Sequence, residues 1–278
     1  MNNRQKTILI TGCSTGIGYT TAKILTNRGY RVIASARKKI DVERLINEGF
    51  EAIQLDLADS KCIHHAFKKV VKITNGKIDA LFNNGAFGQP GAVEDLTRKV
   101  LQNQFETNVF GTHELTNLMI PLMRKQGHGK IIYNSSVLGL VAMKFRGAYN
   151  ASKYALEGLA DTLRLELHGS NVQIILIEPG PILSEFRKNA FQLYKDNIDP
   201  ETSFFKETYK TMEKRLQKEG PAVPFTLPAE AVTDKVIYAL EAKQPKAHYY
   251  VTMPTYLFAV LKRLLPSKWL DVMLRKVN

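Results

Sequence analysis

The sequence predicts an α/β fold: one domain built on a doubly wound parallel sheet of about seven strands, with helices on both faces. Three observations lead there. Short β-branched runs alternate with helix-period segments along the chain. Runs such as Ile8-Leu9-Ile10 and Ile174-Ile175-Leu176-Ile177 are apolar at every position, as strands covered on both faces are. The 278 residues, 44% of them hydrophobic, suffice for one large core and fall short of two full domains.

The strand-like runs are 7–11, 31–36, 51–57, 78–82, 130–134, 172–177 and 248–252. No repeat, low-complexity tract or linker interrupts them, so residues 1–278 read as a single catalytic unit. Residues 184–228 form a connection longer than an ordinary βα loop. It is rich in rings: Phe186, Phe191, Tyr194, Phe204, Phe205, Tyr209 and Phe225. The functional reading is a mobile lid over an apolar substrate pocket; the other is two amphipathic helices burying those rings in a core or dimer contact.

Composition narrows the partners. Cys13 and Cys62 are the two cysteines, too few for a disulfide framework, which fits a reducing compartment. The N-terminal residues pass into a strand without the apolar stretch and cleavage site of a secretory signal, so a cytoplasmic location is expected. The net charge of +13 is spread along the chain with no long Lys/Arg block, which argues against nucleic acid as a partner. The apolar C-terminal extension, 254–278, carries Lys262 and Arg263 and is too short to span a bilayer. Peripheral membrane contact through it stays open, beside packing on the substrate pocket or another subunit. Adjacent His64 and His65 point about 100° apart on a helix and have no cluster of ligands around them, so no metal is expected.

The first strand leads into Thr11-Gly12-Cys13-Ser14-Thr15-Gly16-Ile17-Gly18, followed by a helical pattern. Gly12 permits the tight turn, Gly16 lets backbone approach a pyrophosphate, and Gly18 allows close helix packing. The new helix turns its free N–H groups, around Ser14, Thr15 and Ile17, toward an anion. Between strand and helix, the motif marks the dinucleotide site of a Rossmann fold. At the end of the second strand, where a carboxylate would bind the ribose hydroxyls of NAD, the sequence reads Ser35-Ala36-Arg37-Lys38-Lys39. A guanidinium there suits a 2′-phosphate, so NADP(H) is the expected cofactor, with Arg37 on the phosphate.

A second cluster follows the fifth strand: Asn134-Ser135-Ser136, and then Tyr149-Asn150-Ala151-Ser152-Lys153. Four residues apart on a helix, Tyr149 and Lys153 share a face and can address one ligand. A free tyrosine has a pKa of about 10, so proton exchange near neutrality needs a nearby cation that favours the phenolate. Lys153 supplies one, helped by an oxidised nicotinamide. Ser136, at the carboxyl end of a strand, can donate to a substrate oxygen.

In this order these residues resemble the short-chain dehydrogenase/reductase family over roughly residues 5–185, and within it the hydroxysteroid and retinol dehydrogenases. The matching stretches are Thr11 to Gly18, Asp56-Leu57, Asn83-Asn84, Asn108, Ser136, Tyr149-x-x-x-Lys153 and Pro179-Gly180. The resemblance implies an NADP(H)-dependent alcohol dehydrogenase or carbonyl reductase, a homodimer or homotetramer, acting on a lipophilic alcohol or ketone. It implies that Asp56 and Leu57 contact adenine, that Asn83 and Gly85 line the cofactor site, and that Asn108 holds a water in a proton relay through Lys153 and the ribose hydroxyls. Tyr149 then resembles the acid/base, Lys153 also binds ribose, Ser136 orients the carbonyl, and Pro179 to Ser184, with Gly180 and Ile182, contacts the carboxamide. A catalytically idle NADP(H)-binding regulator is the alternative. One departure is Asn83-Asn84-Gly85-Ala86, where the family order is Asn-Asn-Ala-Gly; it raises a question about the backbone at Ala86.

Overall fold

The computed structural model describes residues 5–276 and contains the seven expected strands. They are β1 (Thr7–Ile10), β2 (Arg31–Ala36), β3 (Glu51–Gln54), β4 (Ala80–Asn83), β5 (Gly129–Asn134), β6 (Val172–Glu178) and β7 (His248–Tyr250). All neighbours run parallel, in the order β3-β2-β1-β4-β5-β6-β7. The order reverses between β1 and β4, where such sheets open a crevice beyond their carboxyl ends.

Several strands are shorter than the apolar runs that signal them, because a strand lasts only as long as its neighbour. β2 stops at Ala36, opposite Gln54, and the last ladder contact is the Leu55 N–H donating to the Ala36 oxygen at 3.0 Å. Residues 56 and 57 therefore leave the sheet and become a loop.

The helices are α1 (Gly16–Asn27), α2 (Lys39–Asn47), α3 (Ser60–Thr74), α4 (Arg98–Phe105), α5 (Thr112–Gln126) and α6 (Gly147–Glu166). After β6 come α7 (Phe186–Asn197), α8 (Lys206–Gln217), α9 (Glu230–Glu241), α10 (Met253–Leu264) and α11 (Ser267–Lys276). Successive strand residues point to opposite faces. Leu9, Ile33, Leu81 and Ile131 accordingly pack with α3, α5 and α6, while Ile8, Ile10, Ala34, Phe82 and Ile132 pack with α1, α2 and α9. Two cores on one sheet are why the strands read as apolar at every position.

Between α4 and α5 the chain stays helical but widens into a π-helical stretch, Glu106–Gly111, which carries Asn108. Such widened turns concentrate at functional sites. A Cβ on Gly111 would stand 1.7 Å from the Leu57 carbonyl oxygen, so this helix can lie against the loop after β3 only because residue 111 is glycine.

The segment 184–228 folds largely as α7 and α8, and its rings divide. Tyr194 and Tyr209 are fully buried in a third cluster with Ala92, Ile198, Met212 and Leu216. Phe145, at a φ of 58°, packs against Phe205 and Tyr209 at centroid distances of 5.3 and 5.7 Å. Phe186 and Phe225 line a cavity instead, and Phe204 is 89% exposed.

α10 has two apolar faces. Thr255, Phe258 and Ala259 are buried, while Met253, Tyr256, Leu257, Val260 and Leu264 form an exposed stripe at helical spacing. α11 buries no residue and exposes Trp269, Val272 and Met273. Among the described residues no helix is long and apolar enough to cross a membrane. The first four residues, used in the reading of the N-terminus, and residues 277–278 of the C-terminal extension lie outside the described residues.

Candidate active site

The crevice begins with the glycine turn. Gly12 has a φ of +71° and a Cβ there would meet the Gly85 Cα at 2.8 Å; Gly16 has a φ of +57°. A Cβ on Gly18 would stand 2.2 Å from the Gly12 carbonyl oxygen and 2.6 Å from the Asn84 Nδ2. α1 opens on Thr15 without a side-chain cap and without an acidic residue in its first turn. Its first N–H groups are therefore free to meet an anion. The bare backbone, the uncapped helix end and the positive φ values fit a dinucleotide pyrophosphate.

Two asparagines connect this turn to the next part of the site. Asn84 Nδ2 donates to the Thr11 and Gly12 carbonyl oxygens at 2.9 and 3.2 Å. Its Oδ1 accepts from Asn134 Nδ2 at 2.9 Å, and the Asn134 carbonyl oxygen accepts from Lys153 Nζ at 2.6 Å. One hydrogen-bonded chain thus runs from the glycine turn, across β4 and β5, to α6.

Tyr149 and Lys153 do share a face of α6, with Nζ 5.5 Å from the phenol ring centroid. Burial holds the Tyr149 phenol above the ordinary tyrosine range, and a hydrogen bond with Ser136 works the other way. Lys153 is 3% exposed, and burial pushes it down to about 8, partly opposed by the Glu157 carboxyl one turn further on. The field expected to favour the phenolate comes from Lys153 together with an oxidised nicotinamide; in the chain by itself desolvation is the larger effect on the phenol, and the Lys153 hydrogen bond goes to Asn134. Ser136 Oγ also accepts from the Leu138 N–H at 3.1 Å. The Phe186 ring meets Tyr149 edge-on at 5.3 Å, in space that opens because residue 88 is glycine: a Cβ there would lie 2.6 Å from Phe186.

Asn108 lies behind these groups and is buried. Its Nδ2 donates to the Phe87 oxygen at 2.9 Å and to Ser152 Oγ at 3.1 Å, and its Oδ1 accepts from the Phe87 N–H. Its side chain is fully engaged in positioning the loop after β4 against α6. Beyond Lys153, the carboxylates of Glu157 and Glu178 and the ring of His248 bring donor atoms within 4.8 Å of one another. His248 Nδ1 lies 2.6 Å from Glu178, and burial together with the Glu178 charge raises Glu157 to about 7.

The glycine turn and the Ser136–Tyr149–Lys153 group open on one cavity of about 750 Å³. Of the residues singled out in the sequence, Gly12, Ser14, Thr15, Gly16, Ile17, Gly85, Pro179, Gly180, Ile182 and Ser184 line it as well. Asn83, expected there, does not: its Nδ2 donates to Thr116 at 2.9 Å on the other face of the sheet, and Asn84 takes the cavity position. Gly18, Asp56, Leu57, Arg37 and Asn108 also lie off its lining. Arg37 is exposed just past β2, held at its backbone oxygen by Gln54. Asp56 caps its own loop, accepting from the Ala58 N–H at 2.9 Å. The exchange at Gly85-Ala86 is accommodated, since Ala86 has no positive φ and Gly85 packs against Thr11 and Leu57. Sequence reasoning passed over Arg44, whose guanidinium donates to the Ser14 oxygen at 2.6 Å, and Arg146 and Arg215 in the cavity wall.

A parallel sheet with this strand order and an anion cradle at its switch point defines a dinucleotide-binding fold. The family profile described as short chain dehydrogenase matches residues 6–195. The chain is 41% identical over 271 residues to the "Uncharacterized oxidoreductase YbbO" of Escherichia coli (strain K12), covering 98% of this chain and 94% of that one. It is 32% identical to an "NADPH-dependent 3-dehydrocapnine reductase" of Ornithobacterium rhinotracheale, covering 95% and 94%. A short-chain dehydrogenase structure from Streptomyces avermitilis superposes with a TM-score of 0.77 at 25% identity, over 99% of this chain and 100% of that one. The chain belongs to the short-chain dehydrogenase family.

Proposed function

We propose that this protein is an NADP(H)-dependent alcohol dehydrogenase or carbonyl reductase acting on a lipophilic alcohol or ketone. The observation that carries the reading is the hydrogen-bonded chain Gly12–Asn84–Asn134–Lys153, which ties the dinucleotide cradle to the group beside Tyr149. Arg37 and its neighbours Lys38 and Lys39 form a basic exposed end to β2 and support a 2′-phosphate, as does the name of the NADPH-dependent relative.

When bound, the nicotinamide supplies or takes the hydride and, when oxidised, adds a positive charge beside the phenol. The chain's own groups handle the proton. Ser136 donates to the substrate oxygen, Tyr149 O–H passes its proton to that oxygen during reduction and takes it back during oxidation, and Lys153 keeps the phenol's surroundings cationic. Asn108 fixes α6 against the loop after β4 and so keeps the group in register. The apolar wall, with Leu138, Val141, Phe225 and Phe258, excludes water and suits a lipophilic body; α7 and α8 act as its lid.

Tyr149→Phe tests this reading: turnover of an aldehyde or ketone panel, followed by NADPH absorbance, disappears while NADPH still quenches or shifts the protein's fluorescence. Retained turnover refutes the chemistry. Turnover by neither form, with NADPH bound, favours the idle cofactor-binding module.

The same reading places the protein in the cytoplasm as a homodimer or homotetramer, supported by the exposed apolar side chains of Leu101, Phe110 and Leu159 on neighbouring helices. It also leaves the stripe on α10 and α11 for packing beside the substrate pocket, which Met253, Leu257 and Leu274 line, for another subunit, or for peripheral contact with an anionic membrane surface. Residues 253–276 carry Lys262, Arg263, Lys268, Arg275 and Lys276 against the single acid Asp271, the charge such a surface attracts. Trp269 is the one tryptophan of the chain and is 67% exposed. Its emission shifts to the blue with phosphatidylglycerol-containing vesicles and not with phosphatidylcholine alone. A shift that tracks protein concentration without vesicles assigns the stripe to a second copy instead.

A further inference from the structure

Three arginines line the cavity that Tyr149 also lines, Arg146, Arg187 and Arg215. Arg187 is satisfied, donating to the Lys218 and Gly220 carbonyl oxygens. The other two are not. No hydrogen bond or ion pair holds the guanidinium of Arg146 or Arg215 among the described residues, and Arg146 Nη1 is sealed from water with no partner. Burial, and then the charge of Arg215, pushes Arg146 down to about 10; Arg215 is itself lowered by burial and by Arg187. The acid of the lining, Glu185, is exposed and turned to Lys188 at 3.7 Å.

Like charges set side by side in a desolvated wall are unfavourable unless an anion completes them. The fold puts them there from two distant places. Arg146 is the N-cap of α6, three residues ahead of Tyr149, and follows Phe145, whose positive φ turns the chain. Arg215 comes from α8, next to the buried Leu216. The same lining also carries apolar side chains, among them Leu138, Val141, Leu216 and Phe258.

We propose that Arg146 and Arg215 form an anion subsite, which binds the carboxylate or a similar oxyanion head of an otherwise apolar substrate whose reacting carbon lies at Tyr149. A guanidinium presents paired N–H donors that match a carboxylate edge, so the subsite would orient the substrate as well as attract it. The head group stays with the arginines while the chain fills the apolar wall. The subsite deepens the oxidoreductase reading and rests on it for the word substrate; binding alone does not.

The test is isothermal titration of the NADPH-loaded protein with dodecanoate and with the uncharged dodecanamide. Dodecanoate binds at least about tenfold tighter, the least that a charge-assisted hydrogen bond is worth, and the preference disappears in Arg146→Gln and in Arg215→Gln. Equal affinity of the two ligands for the unaltered protein overturns the proposal whether or not the variants fold. Inorganic phosphate binding as tightly as dodecanoate assigns the arginines to a free anion and also overturns it. So does a loss of NADPH affinity in the variants with dodecanoate binding unchanged, which moves the arginines to the cofactor. If dodecanoate is preferred but no carbonyl compound is turned over, the subsite stands and the oxidoreductase reading fails.

Discussion

On the strand side of the cavity an added methyl group has nowhere to go. A Cβ at Gly18 meets the Gly12 oxygen at 2.2 Å, and Asn84, Asn134 and Lys153 are each held at hydrogen-bond distance by the next. The helical side is assembled differently. There α7, α8, the loop before α9, α10 and α11 meet the cavity through Phe186, Leu216, Phe225, Leu257, Phe258 and Leu274, side chains related by apolar contact and free of shared hydrogen bonds. Directional bonding fixes one arrangement, whereas apolar packing accepts many of similar volume. The strand side is therefore suited to a ligand that never changes, and the helical side to one that differs from relative to relative.

The comparison can be broken most directly at Tyr149. Tyr149→Phe lowers kcat on any accepted carbonyl compound by roughly 10²–10⁴-fold, the usual worth of a positioned acid/base, with thermal stability little changed. Gly18→Ala is next: overpacking against backbone that cannot yield costs about 3 kcal/mol, read as a fall in the urea midpoint together with weaker NADPH binding. A midpoint equal to the unaltered protein's contradicts the rigidity assigned to the strand side.

Glu157→Gln sharpens the account of the buried acids behind Lys153. Glu157 faces Glu178, His248 and Asp161 as well as Lys153 and Lys262, and its carboxyl is raised to about 7. A raised acid pKa means that the folded state holds the proton where the unfolded chain has released it. Stability from this group is therefore present at acid pH and is lost as pH climbs from about 4.5 through 7. The raised His248 pKa gives a loss of the same sign. The variant should lose about 2 kcal/mol less than the unaltered protein across that window, measured by urea unfolding at successive pH values. Parallel pH curves for the two proteins would remove Glu157 from this role.

Smaller effects belong to the helical side. Phe186→Ala raises KM for bulky substrates several-fold and leaves NADPH affinity alone, because the ring touches Tyr149 without bonding to it. Phe204→Ser, at a ring almost wholly in water, changes stability by less than about 0.5 kcal/mol.

The same contrast explains which parts of the molecule can be read from residues alone. Strands buried on both faces and a glycine turn between strand and helix are local patterns, and they give the seven strands, their parallel sense and the place of the crevice. Which of Asn83 and Asn84 faces that crevice depends on the pleat at the last residue of β4. There period-two alternation gives way to the loop, so Asn83 goes to Thr116 and Asn84 to the glycine turn. The shared face of Tyr149 and Lys153 is legible from spacing, whereas the desolvation acting on the phenol is revealed only by packing. Arg146 and Arg215 are far apart in the chain and belong to no pattern; only the approach of α8 to the start of α6 makes them neighbours. Strand ends overshoot where the partner strand, and not the run itself, sets the length.

The chain of bonds from Gly12 to Lys153 has one more consequence, for engineering. Every atom in it comes from β1, β4, β5 and α6 or from the loops at their ends, all before residue 154. The aromatic connection, the basic pair's second member Arg215 and both C-terminal helices come after it. The side chains of the helical wall therefore fall mostly after the bonded chain in sequence, so that exchanging Phe186, Leu216, Phe225, Leu257 and Phe258 for a relative's residues could reshape the cavity while the bonded chain, and the core that α9 and β7 share with it, are carried over untouched.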